Sequence, residues 1–196
     1  MFTALLDTCV LWPSLQRDLL LSLAIEGVYR PIWSTAILDE LEYHEAAKLV
    51  ARGTDEAGAA ERAHRLVETM RLTFDDAIVT GWERLDGSYG LPDPDDEHVV
   101  AAAELGGAGA IVTLNGKDFP GDRIPSSIDV LAPASFVHDQ VSLRPEAATR
   151  AVLELASRTG RHGPELSPVQ VVDVLESRYA MQEAAALLRH QLADPA

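Results

Sequence analysis

Cysteine is nearly missing from this sequence. Cys9 is the one thiol in 196 residues, which excludes an intramolecular disulfide framework and suits a reducing compartment. Basic residues are scarce: 16 Lys and Arg stand against 31 Asp and Glu, for a formal charge of −15. On its face that charge argues against nucleic-acid binding, unless bound cations and a few local bases reverse the sign where it matters. No stretch approaches the ~20 apolar residues of a membrane span, and no basic segment before an apolar run opens the chain. A soluble, cytoplasmic protein without a membrane partner is expected. Several chemistries also lack their parts. His44 and His98 have no histidine at the i, i+4 spacing of a zinc helix, so both read as surface residues. Asp7-Thr8-Cys9 lacks the second aspartate of phosphoaspartyl transfer, and no Arg follows Cys9 to build a thiolate–phosphate loop. Cys9 therefore reads as a small buried residue. No hydrolase triad is laid out, and there is neither an internal repeat nor a low-complexity segment.

What is present is a chain with 47% hydrophobic residues, enough to bury a core. Its acids are uneven: 23 of the 31 precede residue 139, together with 10 of the 16 bases. Elements alternate in the manner of an α/β domain. Thr3 to Leu6 reads as a short buried strand ending at Asp7. Pro13 opens a leucine-rich helix to Ile25, with Gly27 as its stop. Val28 to Trp33 is a second strand, and Ser34 caps a helix running to about Ala51. Thr54 to about Leu72 is a polar amphipathic helix. Phe74 to Leu85 is ambiguous between strand and helix turn, and Asp86 to Gly90 is a loop. Strands at Ala110 to Leu114 and Ile128 to Leu131 follow, with a helix from Pro133 to about Gln140. Beyond Ser142 the pattern is helical only: Pro145 to Arg158 and Pro168 to Leu192, joined by a loop from Thr159 to Leu166. The expected division is 1–140, an α/β domain, and 141–196, an all-helical extension.

The stretch Leu91 to Pro120 concentrates the chemistry. Asp93 or Asp95 can cap a helix to about Leu105, where acids in the first turn suit the macrodipole. Val99, Val100 and Ala103 form its stripe. Asp96 lies three, four and seven residues before them, on the inward face, while Glu97 and Glu104 point out. In a βαβ unit, helix starts and strand ends share one edge of the sheet, where sites on such sheets lie. Asp7, Asp96 and Asp118 all fall there. On the helix after Ser34, at about 100° per residue, Ile37, Leu38 and Leu41 make the stripe and Asp39 faces solvent. Glu40 and Glu42 flank the stripe on its two sides, and spacing does not choose between them. Asn115 orders a turn or orients a ligand; Thr113 is a strand hydroxyl or a partner for a metal-bound water. Arg17 and Lys117 are candidate phosphate contacts. Clustered carboxylates repel unless protonated or bridged by a cation. Mg²⁺ and Mn²⁺ take such oxygens, keep waters and bind phosphates, so a phosphodiester could be cut without a histidine base or serine nucleophile.

Four segments, LLDTCVLWPSLQRDLLLSLA, RPIWSTAILDELEYH, LPDPDDEHVVAAA and IVTLNGKDFP, resemble the PIN domain family in order and spacing. The likeness is nearest to the VapC-like toxins of bacterial toxin–antitoxin pairs and covers about Leu5 to Val137. It implies an α/β/α sandwich about a mostly parallel sheet, and Mg²⁺- or Mn²⁺-dependent endoribonuclease activity. It places the catalytic, metal-holding acids at Asp7, Glu40, Asp96 and Asp118, which chooses Glu40 over Glu42, with Asp93 and Asn115 at assisting positions. It further implies an RNA substrate, a cognate antitoxin and a homodimer. Cys9 departs from the asparagine often found after the Asp-Thr pair. The helices after residue 140 resemble an extension carried by longer relatives. Two readings of other classes stand beside it: a silent interaction module whose acidic surface binds a basic partner, and a phosphatase on a similar sheet.

Overall fold

The computed structural model describes residues 1–160 and 163–193. Residues 161 and 162 of the expected Thr159–Leu166 loop, and 194–196 of the expected extension, lie outside the described residues. The chain divides into two compact units. One comprises Thr3–Trp12 with Pro31–Val130; the other comprises Met1–Phe2, Pro13–Arg30 and the chain from Leu131 onward.

The first unit carries the sheet. Its strands are β1 (Thr3–Leu6), β2 (Arg30–Ser34), β3 (Ile78–Val79), β4 (Ala110–Val112) and β5 (Asp129–Leu131), in the order β3-β2-β1-β4-β5. The fold is of the expected α/β/α class with a parallel sheet. β1 pairs with β4 in parallel register, Ala4 with Ala110, Leu5 with Ile111 and Leu6 with Val112, and all six side chains are fully buried. Strands covered on both faces are continuous apolar runs rather than alternating ones. Each buried Leu of β1 contributes roughly 1.5–3 kcal/mol over an exposed one. From β1 the chain builds outward to β2 and β3, then returns to place β4 on the other side of β1. The carboxyl end of β1 is therefore a topological switch point, where open parallel sheets form a crevice.

The helices of this unit are α1 (Thr8–Leu11), α3 (Thr35–Ala51), α4 (Glu56–Thr73) and α5 (Glu97–Leu105), with α2 (Ser14–Ile25) falling in the other unit. Ser34, fully buried, starts α3 by accepting the Ile37 amide at 3.1 Å. α3 packs along α4, which lays Ala59, Ala63, Val67 and Met70 against it. Phe74 meets the Trp33 ring edge-on at 5.7 Å. The ambiguous Phe74–Leu85 stretch resolves into β3, paired with Trp33 and Ser34 of β2, and a 3-10 turn at Trp82–Arg84.

Three differences from expectation have identifiable causes, two local and one from packing between helices. β2 starts at Arg30, not Val28, because the Val28 amide turns back to the Leu23 carbonyl past Gly27, whose φ is +69°. β4 stops at Val112, not Leu114. There the Leu114 amide donates to Cys9 Sγ and the Asn115 amide to Thr113 Oγ1, which takes both out of the ladder. The single helix expected over Pro168–Leu192 is two, α8 (Pro168–Tyr179) and α9 (Gln182–Ala193), broken at Ala180 with φ 54°. Alanine favours helix, so the sequence carries no stop signal. The break lets α8 and α9 pack together, burying Val171, Val172 and Leu175 on one and Ala184, Ala185 and Leu188 on the other. With α6 (Pro133–Leu143), α7 (Pro145–Arg158) and α2, they form the helical second unit.

Gly106, just past α5, has no room for a side chain. A Cβ there would overlap Ile32 Cδ1 and stand 2.8 Å from Val79 Cγ2. Gly106→Ala is expected to lower stability by about 1–3 kcal/mol through overpacking, measured as a fall in the urea midpoint. An unchanged midpoint would mean the end of α5 does not press on β2 and β3.

Candidate active site

Asp7 follows the last residue of β1, and its amide continues the ladder to the Val112 carbonyl at 3.1 Å. Its backbone is extended, and its carbonyl then accepts the amides of Val10 and Leu11 to start α1. The side chain is 5% exposed. Oδ2 accepts from Thr113 Oγ1 at 2.6 Å and from Cys9 Sγ at 3.0 Å, while Oδ1 has no protein partner among the described residues. Thr113 thus ties the end of β4 to the end of β1. Burial, then the Asp7 charge, pushes the Cys9 thiol up to about 12. Cys9 is a hydrogen-bond donor to Asp7 and no nucleophile.

Asp96 stands at the junction of a 3-10 turn, Pro94–Asp96, with α5. Asp93 caps that turn, accepting the Asp95 amide at 3.0 Å. Asp96 is half-buried and caps nothing with its side chain. Its carboxyl is pushed up to about 6 by burial first, then by the charges of Asp7, Asp93 and Asp118, with His98 opposing. Asp118 is half-buried at the end of the 3-10 turn Gly116–Asp118, beside exposed Lys117, and its amide bonds the Asn115 carbonyl at 2.8 Å.

Glu40 is held on both oxygens. Thr8 Oγ1 donates to Oε2 at 2.6 Å, and His98 Nε2 lies 3.2 Å from Oε1. Burial raises the Glu40 carboxyl, but the hydrogen bonds from His98 and Thr8 outweigh it, so the net shift is down. Glu42 turns away and meets His64 Nδ1 at 3.3 Å. The His98 expectation fails: the residue is 8% exposed, not on the surface. Burial lowers its pKa, but the Glu40 hydrogen bond and charge raise it more, followed by Asp7 and Asp86. Its Nδ1 is buried without a partner among the described residues, and its ring lies 5.7 Å from Trp82. Glu97 also turns inward, 3% exposed, accepting the amides of Tyr89 and Leu91 at 2.8 and 2.7 Å. The buried loop amides need an acceptor; the wheel treated the helix in isolation and could not see them. Glu104 is exposed, as expected, and accepts from the Tyr89 hydroxyl.

Asp7, Thr8, Cys9, Trp12, Glu40, His44, Asp96 and Asn115 line one cavity of about 400 Å³. The structure thus brings Asp7, Glu40 and Asp96 to one hollow, with Asn115 at its wall; Asp118 couples to Asp96 through charge without lining it. Arg17 lies in the other unit, buried, its Nε 3.3 Å from Asp18 Oδ1. A larger hollow of about 520 Å³ in that unit holds one carboxylate, Glu165, and no comparable chemistry. Thr8, His98 and Trp12 were missed by sequence reasoning. Only Thr8 carried a signal, as the neighbour of Asp7; the partner of His98 comes from another helix.

Among the described residues, no group of three or more His, Cys, Asp or Glu is gathered closely enough to hold a metal ion. The charges gathered there are nonetheless compatible with a cation. Asp96 is held above its ordinary range partly by three neighbouring carboxylates, and the facing groups are oxygen donors suited to a hard divalent ion. The donor chemistry fits such an ion.

The PIN domain family model matches residues 3–117. A curated protein of Mycobacterium tuberculosis (strain ATCC 25618 / H37Rv), named "Putative ribonuclease VapC50", is 41% identical over 81 residues, which cover 41% of this chain and 47% of that protein. The match spans about half the length of that relative. No solved structure matches.

The folded state raises Asp96 above its ordinary 3.8 to about 6, so the ionised form is the one the fold disfavours. The penalty is absent below about pH 4, grows through about pH 6 and is complete above it. Asp96→Asn is expected to raise the Tm of the cation-free protein at pH 8 by roughly 2–4 °C. The gain should vanish toward pH 4. Melting in EDTA across that range checks it; a gain independent of pH would place the effect elsewhere.

Proposed function

This chain belongs to the PIN domain family, and we propose that it is a metal-dependent endoribonuclease, the toxin of a toxin–antitoxin pair. The observation that carries the reading is the convergence of Asp7, Glu40 and Asp96 on one cavity at the switch point of the sheet, with the Asp96 carboxyl raised by burial and then by neighbouring carboxylates. Asp7, Asp96 and Asp118 would hold Mg²⁺ or Mn²⁺, with Glu40 as a further ligand or orienting its water. When bound, the cation supplies charge to a phosphodiester oxygen and acidifies water near neutral pH. The chain's own residues do the rest. Thr113 fixes Asp7 through Oδ2 and leaves Oδ1 without a donor among the described residues. Thr8 and His98 hold the Glu40 carboxylate in one orientation and keep it ionised. Asn115, which lines the cavity, and exposed Lys117 would make polar contacts with the substrate, and Asp93 would bond the cation's waters. Hydrolysis by activated water needs no protein nucleophile, consistent with the inert thiol of Cys9.

The relative's name supports RNA as substrate, since it is called a ribonuclease. A cognate antitoxin that occludes the cavity, a homodimer, a cytoplasmic location and a role for residues 141–196 as an appended helical domain complete the proposal. Among the described residues no helix is long and apolar enough to cross a membrane.

Purified protein is expected to cut single-stranded RNA with Mg²⁺ or Mn²⁺ and to stop in excess EDTA. Asp7→Asn and Asp96→Asn should each lose at least about 100-fold in kcat with the fold retained. His98→Leu, which removes a support rather than a ligand, should lose about 10–100-fold. Full activity in EDTA, or in both Asp variants, would sink the nuclease reading. The toxin assignment is separate: expression should arrest growth unless the neighbouring gene is co-expressed, and harmless expression alongside intact RNA cleavage would remove only that label.

A further inference from the structure

Trp12 follows α1 and lies on the wall of the acid-lined cavity, 41% exposed. An exposed indole is ordinarily free to move, and this one is not. Its Nε1 donates to the His44 carbonyl at 3.2 Å, and its own carbonyl accepts from Lys48 Nζ at 3.2 Å. The same ammonium, ion-paired with Glu45, sits 5.7 Å from the ring centroid, within cation–π range. The polar edge of the indole is thus satisfied by α3, and what it offers the cavity is apolar ring surface. His44, exposed and lining the same cavity, is held edge-on to Tyr43 at 5.4 Å. The cavity is therefore lined both by a held aromatic ring and by carboxylates, Asp7, Glu40 and Asp96.

We propose that Trp12 is the stacking platform for one nucleobase of single-stranded RNA, placing the adjoining phosphate before the carboxylates; this rests on the ribonuclease reading above. A nucleotide matches this mixed lining, with a flat base for the indole and a phosphate that a cation can bring to the acids. An apolar side chain from a protein partner matches only half of it. Stacking needs no positive charge, which suits a chain with 16 bases and 31 acids, and it tolerates any base because each has a π-face. The ring is already immobilised, so binding costs little ordering at this residue.

The test is the affinity of a fluorescein-labelled single-stranded oligoribonucleotide of mixed sequence, read by anisotropy with Ca²⁺ in place of Mg²⁺ and checked intact on a gel. Trp12→Leu is expected to raise Kd about 5- to 100-fold, while Trp12→Phe stays within about 3-fold. A series of oligonucleotides with one abasic site moved along the strand supplies the readout a structural role would not move. In the wild type one abasic position should cost as much as Trp12→Leu does, and in Trp12→Leu that position should cost nothing further. If Trp12→Leu fails to fold, the series on wild type and Trp12→Phe decides. Unchanged affinity in Trp12→Leu, or no sensitive abasic position, overturns the platform and leaves Trp12 to a protein partner. Should the wild type bind no oligonucleotide, the platform also falls, and whether the chain cuts RNA is read independently from the cleavage assay.

Discussion

The parallel pairing of β1 with β4 is the constraint on which the rest of the unit depends. Its six residues are fully buried, so each strand must be apolar throughout and polar chemistry is expelled to the strand ends. Two of those ends meet. Asp7 after β1 and Thr113 after β4 are joined by a 2.6 Å hydrogen bond, and the switch in strand order opens a crevice there. The carboxylate is thus buried at the one edge where the backbone can still turn outward, and Thr113 gives it a partner that does not neutralise it.

Around that edge the fold sets carboxylates in opposite electrostatic conditions. Glu40 has a donor on each oxygen and stays ionised; Asp96 caps nothing and faces Asp7, Asp93 and Asp118. Groups whose environments push their pKa values apart are the mark of assigned roles in a site. In the proposed nuclease, Glu40 is oriented in advance by the protein, and Asp96 stores the repulsion that a cation relieves. His98 Nδ1, without a partner among the described residues, belongs to the same arrangement: the ring is buried against Trp82 and gives its other nitrogen to Glu40.

The charge of −15, awkward for the proposed ribonuclease, would have a physical resolution in this cavity. Affinity carried by a bound cation and by aromatic stacking does not need the basic groove that the composition denies. Both proposed devices draw on residues that line a single hollow.

The strand ending at Asp7, the Ser34 cap, the apolar stripe of α5 and the inward placement of Asp96 are local patterns, and the sequence alone determined them, because period and capping need only neighbours within a turn or two. The same local rule misjudged Glu97, which a wheel places outside but loop amides draw in, and the lack of a zinc-helix partner misplaced His98, which Glu40 draws in. It also missed the α8–α9 break, since Ala180 takes φ 54° for the sake of packing between helices. Glu40 and Glu42 were indistinguishable by spacing. What separates them is Thr8 and His98, from two other helices, on one side and His64 of α4 on the other. Which acids share a cavity is a question of contacts far apart in the chain, and only the tertiary structure decided it.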